Sequence, residues 1–84
     1  MSYYLYILYS EKYKKHYIGI SDNPDRRIQE HNHGQVRSTK AYTPYKLIYM
    51  ENYPNKAIAR KRELFLKRTA KERERLYKIY GAIV

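Results

Sequence analysis

Apolar and polar positions in the first quarter of the chain fall into two short blocks. Residues 3–9, Tyr-Tyr-Leu-Tyr-Ile-Leu-Tyr, are apolar and aromatic throughout, Ser10 to Lys15 is polar, and His16-Tyr17-Ile18-Gly19-Ile20-Ser21 restores the apolar character. Blocks of strand length separated by a polar break predict a β-hairpin. Side chains alternate faces along a strand, so Tyr4, Tyr6 and Leu8 share one face of the first strand, and Tyr17, Gly19 and Ser21 share one face of the second. A register that joins these faces makes Tyr6 and Tyr17 neighbours. Gly19 beside them leaves room for a backbone or ligand to approach.

Beyond the hairpin the signals are helical. Asn23 is placed to cap a helix that opens on Pro24, where the missing N–H costs nothing, and Gly34 suits the left-handed position that ends it after about His33. Gln35 to Lys46 is polar and basic, and Pro44 excludes regular helix there. Leu47-Ile48-Tyr49-Met50 predicts a third strand, and Asn55 caps a second helix from about Lys56. Thr69-Ala70-Lys71-Glu72 has the spacing of a capping box and predicts a third helix, with Leu76, Ile79 and Tyr80 on one face. The order is β-β-α-β-α-α: an α+β fold, a small three-stranded, mainly antiparallel sheet flanked by helices, in one domain over residues 1–84.

Composition narrows the function. Eighteen Lys and Arg against eight Asp and Glu give a net charge of +10, a balance that attracts polyanions, nucleic acid first among them. The excess is +1 over residues 1–34 and +9 over residues 35–84, which puts the expected polyanion-facing surface mostly from Arg37 onward. With no cysteine there is no disulfide, thiolate nucleophile or Cys-type zinc site, which favours a reducing compartment, the cytoplasm by default. Three glycines offer no nucleotide-binding loop, and no apolar run nears the ~20 residues that span a bilayer.

Two constellations carry candidate chemistry. Arg27 and His31 stand four apart on the first helix and project from one face, a guanidinium that can grip phosphate beside an imidazole that can shuttle a proton. On the second helix Ile58, Ala59, Phe65, Leu66, Thr69 and Ala70 mark the apolar sector, with Arg62 and Glu63 inside it. A carboxylate there needs a partner: an arginine, Arg62 or Arg27, or a divalent cation such as Mg²⁺, which uses only one or two protein carboxylates.

Taken in order, Tyr4-Leu5-Tyr6, Tyr17-Ile18-Gly19, Arg26-Arg27 with His31-Asn32, Leu47-Ile48-Tyr49, and Lys61-Arg62-Glu63 with Leu66-Lys67-Arg68 resemble the GIY-YIG nuclease superfamily, specifically its small single-domain bacterial group. The resemblance spans nearly the whole chain. Tyr4 departs from it, standing where the first motif has glycine, and so does the lack of any asparagine after Asn55. The resemblance implies metal-dependent hydrolysis of phosphodiester bonds in DNA, with Tyr6, Tyr17, Arg27, His31 and Glu63 as catalytic residues and Glu63 holding Mg²⁺ or Mn²⁺. Arg37, Lys40, Lys46, Arg62, Lys67 and Arg68 are the expected contacts to the nucleic-acid backbone. The expected substrate is DNA that is single-stranded, branched or flapped, cut selectively by structure or with a protein partner for targeting. A catalytically weak or inactive nucleic-acid-binding module of the same fold is the alternative. The expected state is a monomer without membrane attachment.

Overall fold

The structure, a computed structural model, describes residues 2–81. Strands β1 (Tyr3–Ser10) and β2 (Lys15–Ser21) form the hairpin and are followed by helix α1 (Pro24–Asn32), a 3₁₀ turn at Lys40–Tyr42, strand β3 (Lys46–Tyr53) and helices α2 (Lys56–Arg68) and α3 (Ala70–Leu76). Both strand pairings are antiparallel, in the order β2-β1-β3, so the fold is the expected α+β arrangement. Because β1 is central it is covered on both faces, which explains its unbroken apolar run. Leu5 and Ile7 pack with Ile18, Leu66 of α2 and Leu76 of α3, while Tyr6 and Leu8 pack on the opposite side with Tyr45, Tyr17, Ile28 of α1 and Tyr42.

Local signals explain the element ends. The Asn23 side chain accepts from the Arg26 N–H, the Asn55 side chain accepts from the Ile58 N–H, and Gly34 adopts φ +75° after α1. The hairpin turn closes with Lys14 at φ +54°. Strand β3 is longer than the expected Leu47–Met50 because Glu51, polar in the sequence, is paired from α2 and so tolerates the covered face of the sheet. Its pairing with β1 shifts register between Ile7 and Leu8, opposite Tyr49 and Leu47, which leaves Ile48 as an extra residue.

Three expectations at the C-terminal end are corrected. Helix α3 starts after Thr69, but the Thr69 side chain makes no capping bond, and Glu72 instead pairs with Arg75. A π-helical turn follows α3 at Tyr77–Gly81, and while Leu76 is buried, Ile79 and Tyr80 are exposed rather than sharing its covered face. The covered stripe of α2 is narrower than expected: Ala59, Glu63 and Leu66 are buried, whereas Ile58 and Phe65 face out.

Candidate active site

The site forms where β1, β2 and α1 meet. Tyr6 stands opposite Gly19, and Tyr17 is opposite Leu8, so the two tyrosines are diagonal neighbours with ring centroids 6.2 Å apart. The absence of a side chain at residue 19 makes this possible, since a Cβ there would lie 2.6 Å from the Tyr6 hydroxyl oxygen and 2.8 Å from the Tyr17 ring.

Helix α1 supplies His31, which is fully buried. Its Nε2 is 3.0 Å from the Tyr6 hydroxyl and its Nδ1 is 2.7 Å from Thr39 Oγ1. The Thr39 hydroxyl donates to the Val36 carbonyl at 3.3 Å, so its oxygen accepts from His31 Nδ1–H. That tautomer leaves Nε2 as the acceptor of the Tyr6 proton. A directed chain results, from the Tyr6 O–H through the imidazole to Thr39 and the Val36 carbonyl. Thr39, itself 1% exposed, is the functional candidate that sequence reasoning missed, because nothing periodic or motif-like marks it within its loop. The loop is held to α1 a second time by the Asn32 side-chain amide, which donates to the Tyr45 carbonyl at 2.9 Å and accepts from the Tyr45 N–H at 2.6 Å.

The electrostatics follow from this burial. Desolvation, reinforced by the neighbouring Tyr17, raises the Tyr6 hydroxyl to about 12 against the opposing pull of Arg27, and the Glu63 carboxylate raises it slightly further. Burial first, and Arg27 second, lower His31 to about 4, so the imidazole is neutral at physiological pH. Arg27 pairs with Glu30 at 2.9 Å, an interaction that holds its guanidinium charged. Tyr17 lies 4.8 Å from His31 between ring centroids. Tyr6, Tyr17, Arg27 and His31 are thus gathered by contact or charge, with Glu63 joining through its effect on Tyr6.

Glu63 is buried on α2, but neither Arg62 nor Arg27 is its partner. Arg60, one turn before it, and Lys67, one turn after it, take one carboxylate oxygen each, at 2.5 and 3.0 Å. Arg62 instead grips Glu51 of β3 with two hydrogen bonds of 3.0 Å. Tyr49 and Tyr53 also donate to Glu51, and although burial pushes this carboxyl up, the bonds from Arg62 and the two tyrosines leave it below its usual range. Arg62 is therefore a brace between α2 and the sheet. Among the other expected backbone contacts, Lys67 is committed to Glu63, Lys46 lies 3.6 Å from Glu11, and Arg37, Lys40 and Arg68 are exposed.

Among the described residues no group of three or more His, Cys, Asp or Glu side chains is placed to enclose a metal ion. The donor set does suit Mg²⁺ or Mn²⁺, which keep most of their water and need a single carboxylate. Glu63 is the carboxylate that would meet that need, and in this structure its two oxygens are held by Arg60 and Lys67, whose side chains are about half exposed.

Residues 2–78 match the model of the GIY-YIG catalytic domain. The chain belongs to the GIY-YIG family. It is 35% identical over 72 residues to a UPF0213 protein of Clostridium perfringens, covering 84% of this chain and 76% of that one. A UPF0213 protein of Staphylococcus aureus is 34% identical over 59 residues, 69% of this chain and 72% of that one. The solution NMR structure of a UPF0213 protein from Bacillus halodurans superposes with a TM-score of 0.57 at 29% identity, covering 96% of this chain and 87% of that one.

Proposed function

We propose that this GIY-YIG protein is a metal-dependent DNA endonuclease that hydrolyses phosphodiester bonds, selective for substrate structure or guided by a partner. The observation that carries this reading is the buried chain from Tyr6 through His31 to Thr39, with Arg27 beside it.

In the proposed reaction water attacks phosphorus, the new O–P bond forms and the bond to the 3′ oxygen breaks. Because the Tyr6 proton is directed at His31, the phenol oxygen offers its free lone pair to the attacking water and orients it. His31 holds the Tyr6 hydroxyl in that orientation, the proton that water releases passes to bulk solvent, and Arg27 balances charge growing on the phosphoryl oxygens. Tyr17 walls the site beside the imidazole. Glu63 would hold the ion, and what a divalent cation supplies when bound there is polarisation of the scissile phosphate and charge relief at the leaving oxygen.

A second reading has its own support. Both oxygens of Glu63 are engaged by cationic side chains, and Tyr6 keeps its proton to about 12, features of a nucleic-acid-binding module with little catalysis. Cleavage of labelled single-stranded, duplex, flap and branched DNA with Mg²⁺ or Mn²⁺ separates the two. The native chain is expected to cut at least one substrate and Glu63→Gln to cut none. Native protein that binds the panel and never cuts it would establish the binding module.

A further inference from the structure

The hairpin turn and the loop after α1 build a surface that the proposed chemistry does not use. Tyr13 in the turn is 43% exposed and meets Tyr42 edge to face at 5.7 Å between centroids. A lysine lies over each ring, Lys12 at 5.4 Å from the Tyr13 centroid and Lys15 at 5.5 Å from the Tyr42 centroid. Next to this pair is a cleft of about 470 Å³ walled by Tyr9, Tyr45, Pro44, Lys12, Lys46 and Glu11.

Charge on this face is one-sided. Residues 11–15 and 40–46 carry five lysines and a single carboxylate, Glu11, which is paired with Lys46. One wall of the cleft, Tyr45, has its ring centroid 6.3 Å from that of His31, and its backbone is fixed by Asn32. A positive groove with an exposed aromatic ring, Tyr13, at its edge and half-buried Tyr9 in its wall is the chemistry that holds unpaired bases, since stacking needs an accessible ring and a duplex keeps its bases stacked on one another.

We propose that this face binds a single nucleic-acid strand, with one base in the Tyr9–Tyr45 cleft, the next stacked on Tyr13, and phosphates on the turn lysines. The proposal deepens the nuclease reading by naming the substrate as unpaired strand, and rests on it only in taking nucleic acid as the partner. Binding measured in EDTA is independent of cleavage, so an inactive protein that still shows the pattern below overturns the nuclease reading and leaves this one standing.

The test is fluorescence anisotropy of the full chain in EDTA with labelled oligothymidylate, oligouridylate and a duplex, each ~20 units long, enough for one site. Single strand is expected to bind more tightly than duplex, the dT-to-rU ratio reporting which sugar is preferred. Tyr13→Ala, a change at an exposed position that circular dichroism can check for folding, is expected to weaken single-strand binding about tenfold and duplex binding by far less. Lys12→Gln with Lys15→Gln is expected to flatten the salt dependence. Equal losses on single strand and duplex, a Tyr13→Ala change under about twofold, or binding to anionic vesicles but not to oligonucleotides would overturn the proposal.

Discussion

Acidification tests the buried imidazole most directly. His31 is fully enclosed, and its folded-state pKa is about 4 against an ordinary 6.5. As pH falls, the unfolded chain binds a proton at this ring near 6.5 while the folded chain resists until about 4, so the unfolded state holds more protons in between and stability drops. At about 1.4 kcal/mol per pH unit the loss is about 2 kcal/mol by pH 5 and about 3 kcal/mol by pH 4. That is a large share of the ~4–13 kcal/mol expected for a chain of this size. His16, also lowered by burial, pulls in the same direction and is best removed by working in a His16→Gln background. Glu51 adds its own loss only lower, within and below the carboxylate range. Urea unfolding followed by circular dichroism between pH 6.5 and 5 reads the slope, and an NMR titration of the His31 ring reads the midpoint. A flat stability profile, or a His31 midpoint near 6.5, would refute the argument that this ring is buried neutral.

Three substitutions probe the surroundings. Thr39→Val strands His31 Nδ1–H without an acceptor and is expected to cost about 1–3 kcal/mol and mix the imidazole tautomers seen by ring-nitrogen NMR, with Thr39→Ser restoring both; unchanged stability and a single tautomer in Thr39→Val would contradict the relay. Gly19→Ala places a methyl 2.6 Å from the Tyr6 hydroxyl oxygen, where a buried ring has little room to retreat. A loss of about 1–3 kcal/mol is expected, together with a disturbed Tyr6–His31 bond, and a thermal midpoint equal to the native one would count against that packing. Glu51→Gln weakens the Arg62 fork and is expected to cost about 2 kcal/mol. It also lets Tyr49 and Tyr53, both held up at about 12, ionise earlier in a phenolate absorbance titration, so an unaltered titration curve would argue against the brace.

Features governed by short-range rules were legible in the chain. The helix starts at Pro24 and Lys56 follow from asparagine caps whose side chains make the expected bonds, and the shared face of Tyr6, Tyr17 and Gly19 follows from strand alternation. What was hidden depended on which distant side chains meet. The sequence offers Arg62 as a partner for Glu63 or a phosphate contact, yet the carboxylate it reaches is eleven residues away on β3. Glu63's actual partners stand at i−3 and i+4, a spacing the sequence did display, but a helical projection does not rank competing cations. Thr39 was invisible because its role exists only once the loop folds back on α1. The Lys12–Lys15 turn is likewise inconspicuous in the charge along the chain, since it lies in the nearly neutral first part and meets the basic loop only in space.

The clasp between Asn32 and Tyr45 reaches beyond the loop it anchors. Strand β3 lies at the edge of the sheet, and an edge offers unpaired N–H and C=O groups to any passing strand, the usual start of unwanted self-association. Immediately before that strand, both backbone groups of Tyr45 are already taken by a side-chain amide, which is chemically a piece of peptide. Asn32 thereby acts as a one-residue false neighbour, so the residue that orders the loop beside the imidazole also occupies the backbone position from which the edge strand begins.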